Sequence, residues 1–229
     1  MATVFTRFLA VLIVFGTVAS AAGAADLTTQ RELLSKAQFT LERFAASPKM
    51  ADARALASRA RAIMIFPSLL KGAFFVGGEG GSGVLLARNE DGSWSYPAFY
   101  TLGSVSFGFQ IGGQSSEAIL LIMNDGALRA VMADQVKLGA GVSAAAGPVG
   151  SGVEASSSTD VGTDIYTYSN TKGLFIGASL DGAVLARRED WNGEVYNGVV
   201  DPQQIVFDAN VSNPIADPLR QDLATFTAQ

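Results

Sequence analysis

The chain has 229 residues, a formal net charge of −5, and neither cysteine nor histidine. Without cysteine there is no disulfide staple and no lipidated N-terminal Cys; without histidine the commonest general base, the Ser-His and Cys-His nucleophiles and most zinc and copper sites are gone. The charge is divided: residues 26–71 hold eight basic and four acidic side chains, and the rest, from Gly72, seven basic and seventeen acidic, so a cationic front is joined to an anionic body.

In chain order, Arg7 precedes the apolar run FLAVLIVFGTVA, which is short for a bilayer span. Small residues at Ala22 and Ala24, or Gly23 and Ala25, then fit a cleavage site. Residues 1–25 therefore read as a secretory signal peptide, with an uncleaved anchor helix as the competing reading. No second long apolar run follows, so no transmembrane segment is expected after cleavage, and the expected location is periplasmic or secreted. Residues 26–229 suit one domain: a basic helical segment (26–71), a mainly β body (72–200) and a C-terminal helical segment (201–229).

TTQRELLSKAQFTLERFAAS reads as a helix with a Thr29–Glu32 capping box and the stripe Leu33, Ala37, Leu41, Phe44. A second helix is expected from Ala51 to Met64, with Leu56, Ala60 and Ile63 on its apolar side, Arg54, Arg59 and Arg61 beside it, and Pro67 as its stop. From Gly72 the period changes to that of strands. AFFVGG and GVLLAR are extended, Asn89-Glu-Asp-Gly92 is a turn, and Val105, Phe107, Phe109 and Ile111 alternate with small or polar residues. AILLIMN is a buried strand; a short helix capped by Asp125 carries Leu128, Val131 and Met132; Val136, Leu138, Ala140 and Val142 alternate again. VGSGVEAS reads as a return strand, and DIYTYSN as the lead into KGLFIGA and GAVLARR. Two short helices are expected near residues 202–207 and 214–226.

GGEGGSG, residues 77–83, contains G-x-G-x-x-G, but no helix follows it and no Walker lysine is present, so a phosphate loop is not expected. KGAFFVGGEGGSGVLLARNE resembles KGLFIGASLDGAVLARRE, which keeps the flanking strands and loses the glycine spacing. The glycines thus read as the turn or bulged bend of a hairpin, where positive φ or close packing of backbone requires glycine, and the two strand pairs read as pseudo-equivalent. Ser68-Leu-Leu-Lys71 matches S-x-x-K by chance, and Asn89, Glu90 and Asp91 read better as a turn than as calcium ligands. No catalytic residue, metal site or cofactor is expected.

RARAIMIFPSLLKGAFFVGGEGGSGVLLAR, DGSWSYPAFY, GFQIGGQS, LGAGVSAAAGPVG and YTYSNTKGLFIGASLDGAVL together resemble the SYLF domain family, over roughly residues 32–206. The resemblance implies a lipid-binding or actin-regulating relative: eukaryotic members bind phosphoinositide membranes through a basic, amphipathic front region, some bind actin, and bacterial members are commonly exported. It implies headgroup contacts at Arg54, Arg59, Arg61 and Lys71, with Lys172 equivalent to Lys71 in the second repeat. The chain departs from the pattern at Ser151 and near Asn170, where basic residues are usual.

The expected fold is α+β: N-terminal helices packed on a strongly bent, largely antiparallel sheet that approaches a barrel, with short C-terminal helices. The expected function is peripheral, non-catalytic attachment to anionic, phosphoinositide-like lipids, with a protein partner as a further expectation and no nucleic acid. The alternatives are a cell-envelope structural or protein-interaction module without lipid affinity, and a carrier or enzyme with its site inside the sheet.

Overall fold

The computed structural model describes residues 26–73, 76–107, 112–140, 142–149, 163–177, 180–208 and 210–228. The signal-peptide reading, the Phe109 and Ile111 end of the third alternating run, and most of VGSGVEAS lie outside them. Two helices lead: α1 (Thr28–Ala46) and, after a short 3-10 turn (Pro48–Met50), α2 (Ala51–Ala57). Four long strands follow: β1 (Ala62–Ala73), β2 (Val76–Ala87), β3 (Ala98–Phe107) and β4 (Gly112–Ile122). Then come α3 (Asp125–Val131), β5 (Gln135–Lys137), β6 (Ala144–Ala146), β7 (Ile165–Thr171), β8 (Leu174–Gly177) and β9 (Val184–Arg187). The described chain ends with α4 (Glu189–Tyr196), α5 (Pro202–Val206), a 3-10 turn (Pro214–Ala216) and α6 (Asp217–Thr227).

The strands form one curled sheet in the order β5-β9-β3-β2-β1-β4-β7-β6, with β8 also on β7. Among the described strands β6 and β7 run parallel and the other pairs antiparallel. The α+β expectation, with helices at both ends of the chain and a strongly bent sheet, is what the structure shows. α1, backed by α6, packs on β1 and β2, while α4 packs on β3 and α5 on β2 and β3. On β1 the consecutive residues Ala62, Ile63, Met64, Ile65 and Phe66 are all fully buried, which requires cover on both faces, since successive strand residues point to opposite sides.

α1 buries Leu33, Ala37, Leu41 and Phe44 as its spacing predicts. Its capping box does not form: Leu27 is the N-cap, without a side-chain bond, and Asp26 instead accepts from the Thr28 amide. The second helix is much shorter than expected. It stops at Ala57, and residues 62–66 enter the sheet, because this apolar, partly β-branched run is buried on both sides. Pro67 sits in β1 rather than ending a helix. Between Ile65 and Leu70 β1 carries one residue more than β2, and between Phe66 and Leu69 one more than β4. Proline, lacking an N–H, is tolerated at such a bulge.

The glycine-rich stretch is neither a turn nor the start of a helix; it is the interior of β2. A Cβ at Gly83 would lie 2.6 Å from the Ile65 carbonyl oxygen and 2.7 Å from Phe66 Cε1, and one at Gly81 would collide with the Ser68 carbonyl oxygen. Close approach to the β1 bulge is the reason for glycine at both places. The pseudo-equivalence of the two strand pairs also fails. β8 pairs with β7 and β9 with β3 and β5, so the second pair is split between distant parts of the sheet. Its Lys172 and Gly173, both at positive φ, form a two-residue hairpin turn instead. DIYTYSN is itself mostly strand β7, α3 is capped by Asn124 rather than Asp125, and α4 has no counterpart among the expected helices.

Candidate functional site

The five cations implicated by sequence do not converge. Arg54 is half-buried in α2, and its Nη1 donates to the carbonyls of Phe44 (3.4 Å), Ala45 (3.1 Å) and Ser47 (3.0 Å). It satisfies the open carbonyls at the end of α1, a structural task. Arg59 is exposed in the turn after α2 and has no side-chain partner among the described residues. Lys71 lies ten residues along β1 from Arg61, roughly 30 Å away at strand rise, and faces Glu79 on β2 and Gln114 on β4. Lys172, exposed in the β7–β8 turn, also lies away from the Arg61 end, because it is Ile165, at the start of β7, that reaches Ile122 there. The apolar junction MIFPSLL is inside the protein except for Ser68 and Leu70, and only Leu70 is well exposed, at 64%.

Arg61 and Arg59 do come together, with a partner that the sequence reading missed. Arg61 immediately precedes β1 and Arg88 immediately follows β2, and the Arg88 amide donates to the Arg61 carbonyl at 2.9 Å. Two arginines are thus set side by side at the ends of the two central strands. Arg61 Nε donates to Asp125 Oδ1 at 2.6 Å, its Nη1 to the Arg88 carbonyl, and its guanidinium stands 5.1 Å from the Phe207 ring centre. Arg88 reaches the last carbonyls of the α2 turn, Nε to Ala60 and Nη2 to Ala57 and Ser58, each at 3.4 Å, and lies 4.5 Å over Trp94. Burial first, and then the Arg61 charge, lowers the Arg88 pKa. Arg59, Arg61, Arg88, Asn89, Asn124 and Asp125 line an open cleft of about 530 Å³, with Glu90 also on its wall. The pairing register, which needs the strand ends, is the signal that would have found Arg88.

A second cleft, of about 560 Å³, has the opposite character. Arg187 there pairs with Asp134 (2.5 Å), Glu189 (2.9 Å) and Asp201 (2.9 Å). Burial pulls its pKa down, but the three carboxylates outweigh that and hold it above its ordinary value. This cluster ties β9 to α4, α5 and the segment after α3. Asn89 and Asp91 are engaged with Ser93 in a tight turn, as read from sequence. Ser68 lies at the β1 bulge, its Oγ 3.2 Å from Ser115 Oγ, so it shares no helical turn with Lys71. Among the described residues no helix is long and apolar enough to cross a membrane.

The family model Ysc84, described as Las17-binding protein actin regulator, matches residues 103–226, more than half of the chain. The chain belongs to the Ysc84 family. This is the SYLF family that the motifs resemble. Curated relatives agree. An SH3 domain-containing protein of Schizosaccharomyces pombe is 34% identical over 159 residues, 68% of this chain and 37% of that protein. The bovine SH3 domain-containing YSC84-like protein 1 is 32% identical over 162 residues, 70% and 47% respectively. Protein YSC84 of Saccharomyces cerevisiae is 32% identical over 164 residues, 70% and 35% respectively. The chain spans less than half the length of each. The Ysc84 match begins in β3, so Arg59, Arg61 and Arg88 precede it, whereas the Arg187 cluster lies within it.

Proposed function

We propose that this chain is a non-catalytic attachment module that holds to anionic, phosphoinositide-like lipid headgroups by electrostatics. One observation carries the reading: Arg59, Arg61 and Arg88 meet in an open cleft whose wall holds only two carboxylates, Glu90 and Asp125, on a protein of net charge −5. The apolar stripe of α1 is in the core, so insertion of that helix is not part of the mechanism as the protein stands. Each cation near an anionic surface contributes about 1 kcal/mol. Attachment is therefore weak, reversible and sensitive to salt. We propose further that residues 1–25 direct export to a periplasmic or extracellular location, leaving 26–229 as one domain.

A protein-partner reading is favoured by the names of the relatives, among them the yeast LAS seventeen-binding protein 3, 30% identical over 164 residues. The two separate by cosedimentation with phosphatidylserine vesicles at low and high salt. Wild type is expected to pellet only at low salt. Arg59→Glu, at an exposed site that leaves the fold alone, is expected to weaken binding about thirtyfold, two charge units at about 1 kcal/mol each. Pelleting that ignores both salt and Arg59→Glu would overturn the lipid reading.

A further inference from the structure

We infer that Arg61 and Arg88 form a receptor for a single phosphate-type oxyanion, completed by Arg59. Both arginines are fixed from behind. Arg61 is held through Nε and Nη1, and Arg88 through Nε and Nη2. Each guanidinium also stands by an aromatic ring, Phe207 for Arg61 and Trp94 for Arg88. This anchoring uses two nitrogens of each group. Arg61 Nη2 and Arg88 Nη1 have no acceptor among the described residues, and both arginines line the cleft that Arg59 borders. The donors are therefore preorganised, so little side-chain entropy is lost when a ligand engages them.

The pair is also under-compensated. Two cations are held together by the β1–β2 register, and the carboxylate bonded to them, Asp125, is half-exposed and bonds Arg61 alone. Among the described residues Arg88 hydrogen-bonds to carbonyls alone, which satisfy its geometry without neutralising its charge. An anion bridging the two free nitrogens relieves that repulsion. Three guanidinium groups on one ligand call for at least three acceptor oxygens. A phosphate or phosphomonoester supplies them on one centre; a carboxylate offers two. Asp125 offsets part of the Arg61 charge from behind, so removing its charge while keeping its Oδ1 as acceptor strengthens the site. The phosphate's source is either a lipid headgroup or a free phosphate. The inference deepens the attachment reading and rests on it only for the lipid source.

The test is titration of the full chain with inorganic phosphate at constant ionic strength in chloride, followed by calorimetry and by the Arg Nε–H resonances. Saturable binding that shifts the Arg61 and Arg88 signals is expected. Arg61→Gln and Arg88→Gln each weaken it about tenfold or more, the effect of one lost charge-assisted hydrogen bond. Arg59→Gln, exposed and neutral for folding, weakens it in the same direction. Asp125→Asn tightens it several-fold, a change of sign that mere structural damage does not produce. Absence of saturation, or Asp125→Asn binding no better than wild type, overturns the inference. Parallel sedimentation with phosphatidylcholine vesicles containing phosphatidylinositol phosphate distinguishes the two claims. Phosphate binding without vesicle binding keeps the receptor and sinks the attachment reading. Vesicle binding unchanged by Arg88→Gln keeps attachment and removes the lipid headgroup as the receptor's ligand, whereas phosphate binding unchanged by Arg88→Gln sinks the receptor.

Discussion

Replacing Gly83 by alanine tests why β2 is so rich in glycine. The added methyl would sit 2.6 Å from the Ile65 carbonyl oxygen and 2.7 Å from Phe66 Cε1, with Phe66 Cδ1 closer still. Ordinary contacts of this kind begin near 3.4 Å, so β1 and β2 must part by most of an ångström where both are buried. Overpacking of a core costs about 1–3 kcal/mol, and a backbone atom in a central strand cannot turn aside as a side chain can, which puts the cost at the upper end. The smaller conformational freedom of alanine in the unfolded chain returns about 0.4–1 kcal/mol. A net loss of about 2 kcal/mol follows, a fall in Tm of roughly 4–8 °C for a domain of this size. Gly103→Ala on the neighbouring strand is the control: nothing lies within 4 Å of its Cβ, so only the gain of about 0.4–1 kcal/mol remains. Urea unfolding followed by circular dichroism, with an unchanged m-value, reads both. A Gly83→Ala protein as stable as wild type, or two variants that shift the same way, would refute the close-approach explanation.

Glu117 accepts from Thr40 Oγ1 (3.1 Å), Arg43 Nε (2.9 Å) and Nη2, and Asn170 Nδ2 (2.7 Å), tying α1 to β4 and β7; Glu117→Ala is expected to cost roughly 2–3 kcal/mol in urea unfolding. Lys172 occupies φ 50 before Gly173 at φ 81, so Lys172→Asn, giving the favoured Asn-Gly turn, should raise stability by about 0.5–1 kcal/mol on the same assay. With no histidine in the chain, stability is expected to be flat from about pH 5 to 8. Below that, bonds from Asn124 and Ser143 to Asp164, and from Arg188 to Asp190, hold both carboxyls under their ordinary values. Their contribution is present above the unfolded pKa near 4 and lost as pH falls through the lower folded values; Asp164→Asn should make the acid loss shallower in a pH series of urea midpoints. At the alkaline end burial raises the pKa of Tyr100 and Tyr168 above the ordinary value near 10, so stability should fall once these two ionise in the unfolded chain above about pH 10, and their share of the phenolate absorbance should appear only on unfolding.

What was legible in the sequence followed from strong, one-valued patterns. The stripe Leu33, Ala37, Leu41, Phe44 fits a helix and nothing else, and α1 is where it points. The span from Leu56 through Ala60 to Ile63 fits helical spacing too, yet it belongs to two elements, because Ile63 lies in a strand buried on both faces and such strands leave no alternation to read. The glycines of residues 77–83 read as a hairpin bend, because nothing local says that they lie inside a strand against a close neighbour. Seeing that needed the β1 bulge at Pro67, a feature set by pairing across strands. α4 carries Gly193 within it and closes on Asn197 at φ 58, so propensity argued against it while its packing on β3 held it. The site divided in the same way. Arg59 and Arg61 are visible as a local pair of charges, but Arg88 joins them only through the register of β1 and β2, and Arg54 is withdrawn by the carbonyls at the end of α1.

β1 changes character along its length. Its first five residues are dry on both sides, while Leu70, eight positions on from Ala62, is largely in water. Amide exchange measured along this single strand should therefore run from among the slowest in the molecule to far faster within about 25 Å. Substitutions will meet correspondingly different tolerance: a changed side chain at Ile63 disturbs everything around it, whereas one at Leu70 alters only what a visitor encounters. A family that needs new surfaces without rebuilding its interior has, in a strand of this kind, somewhere to make them.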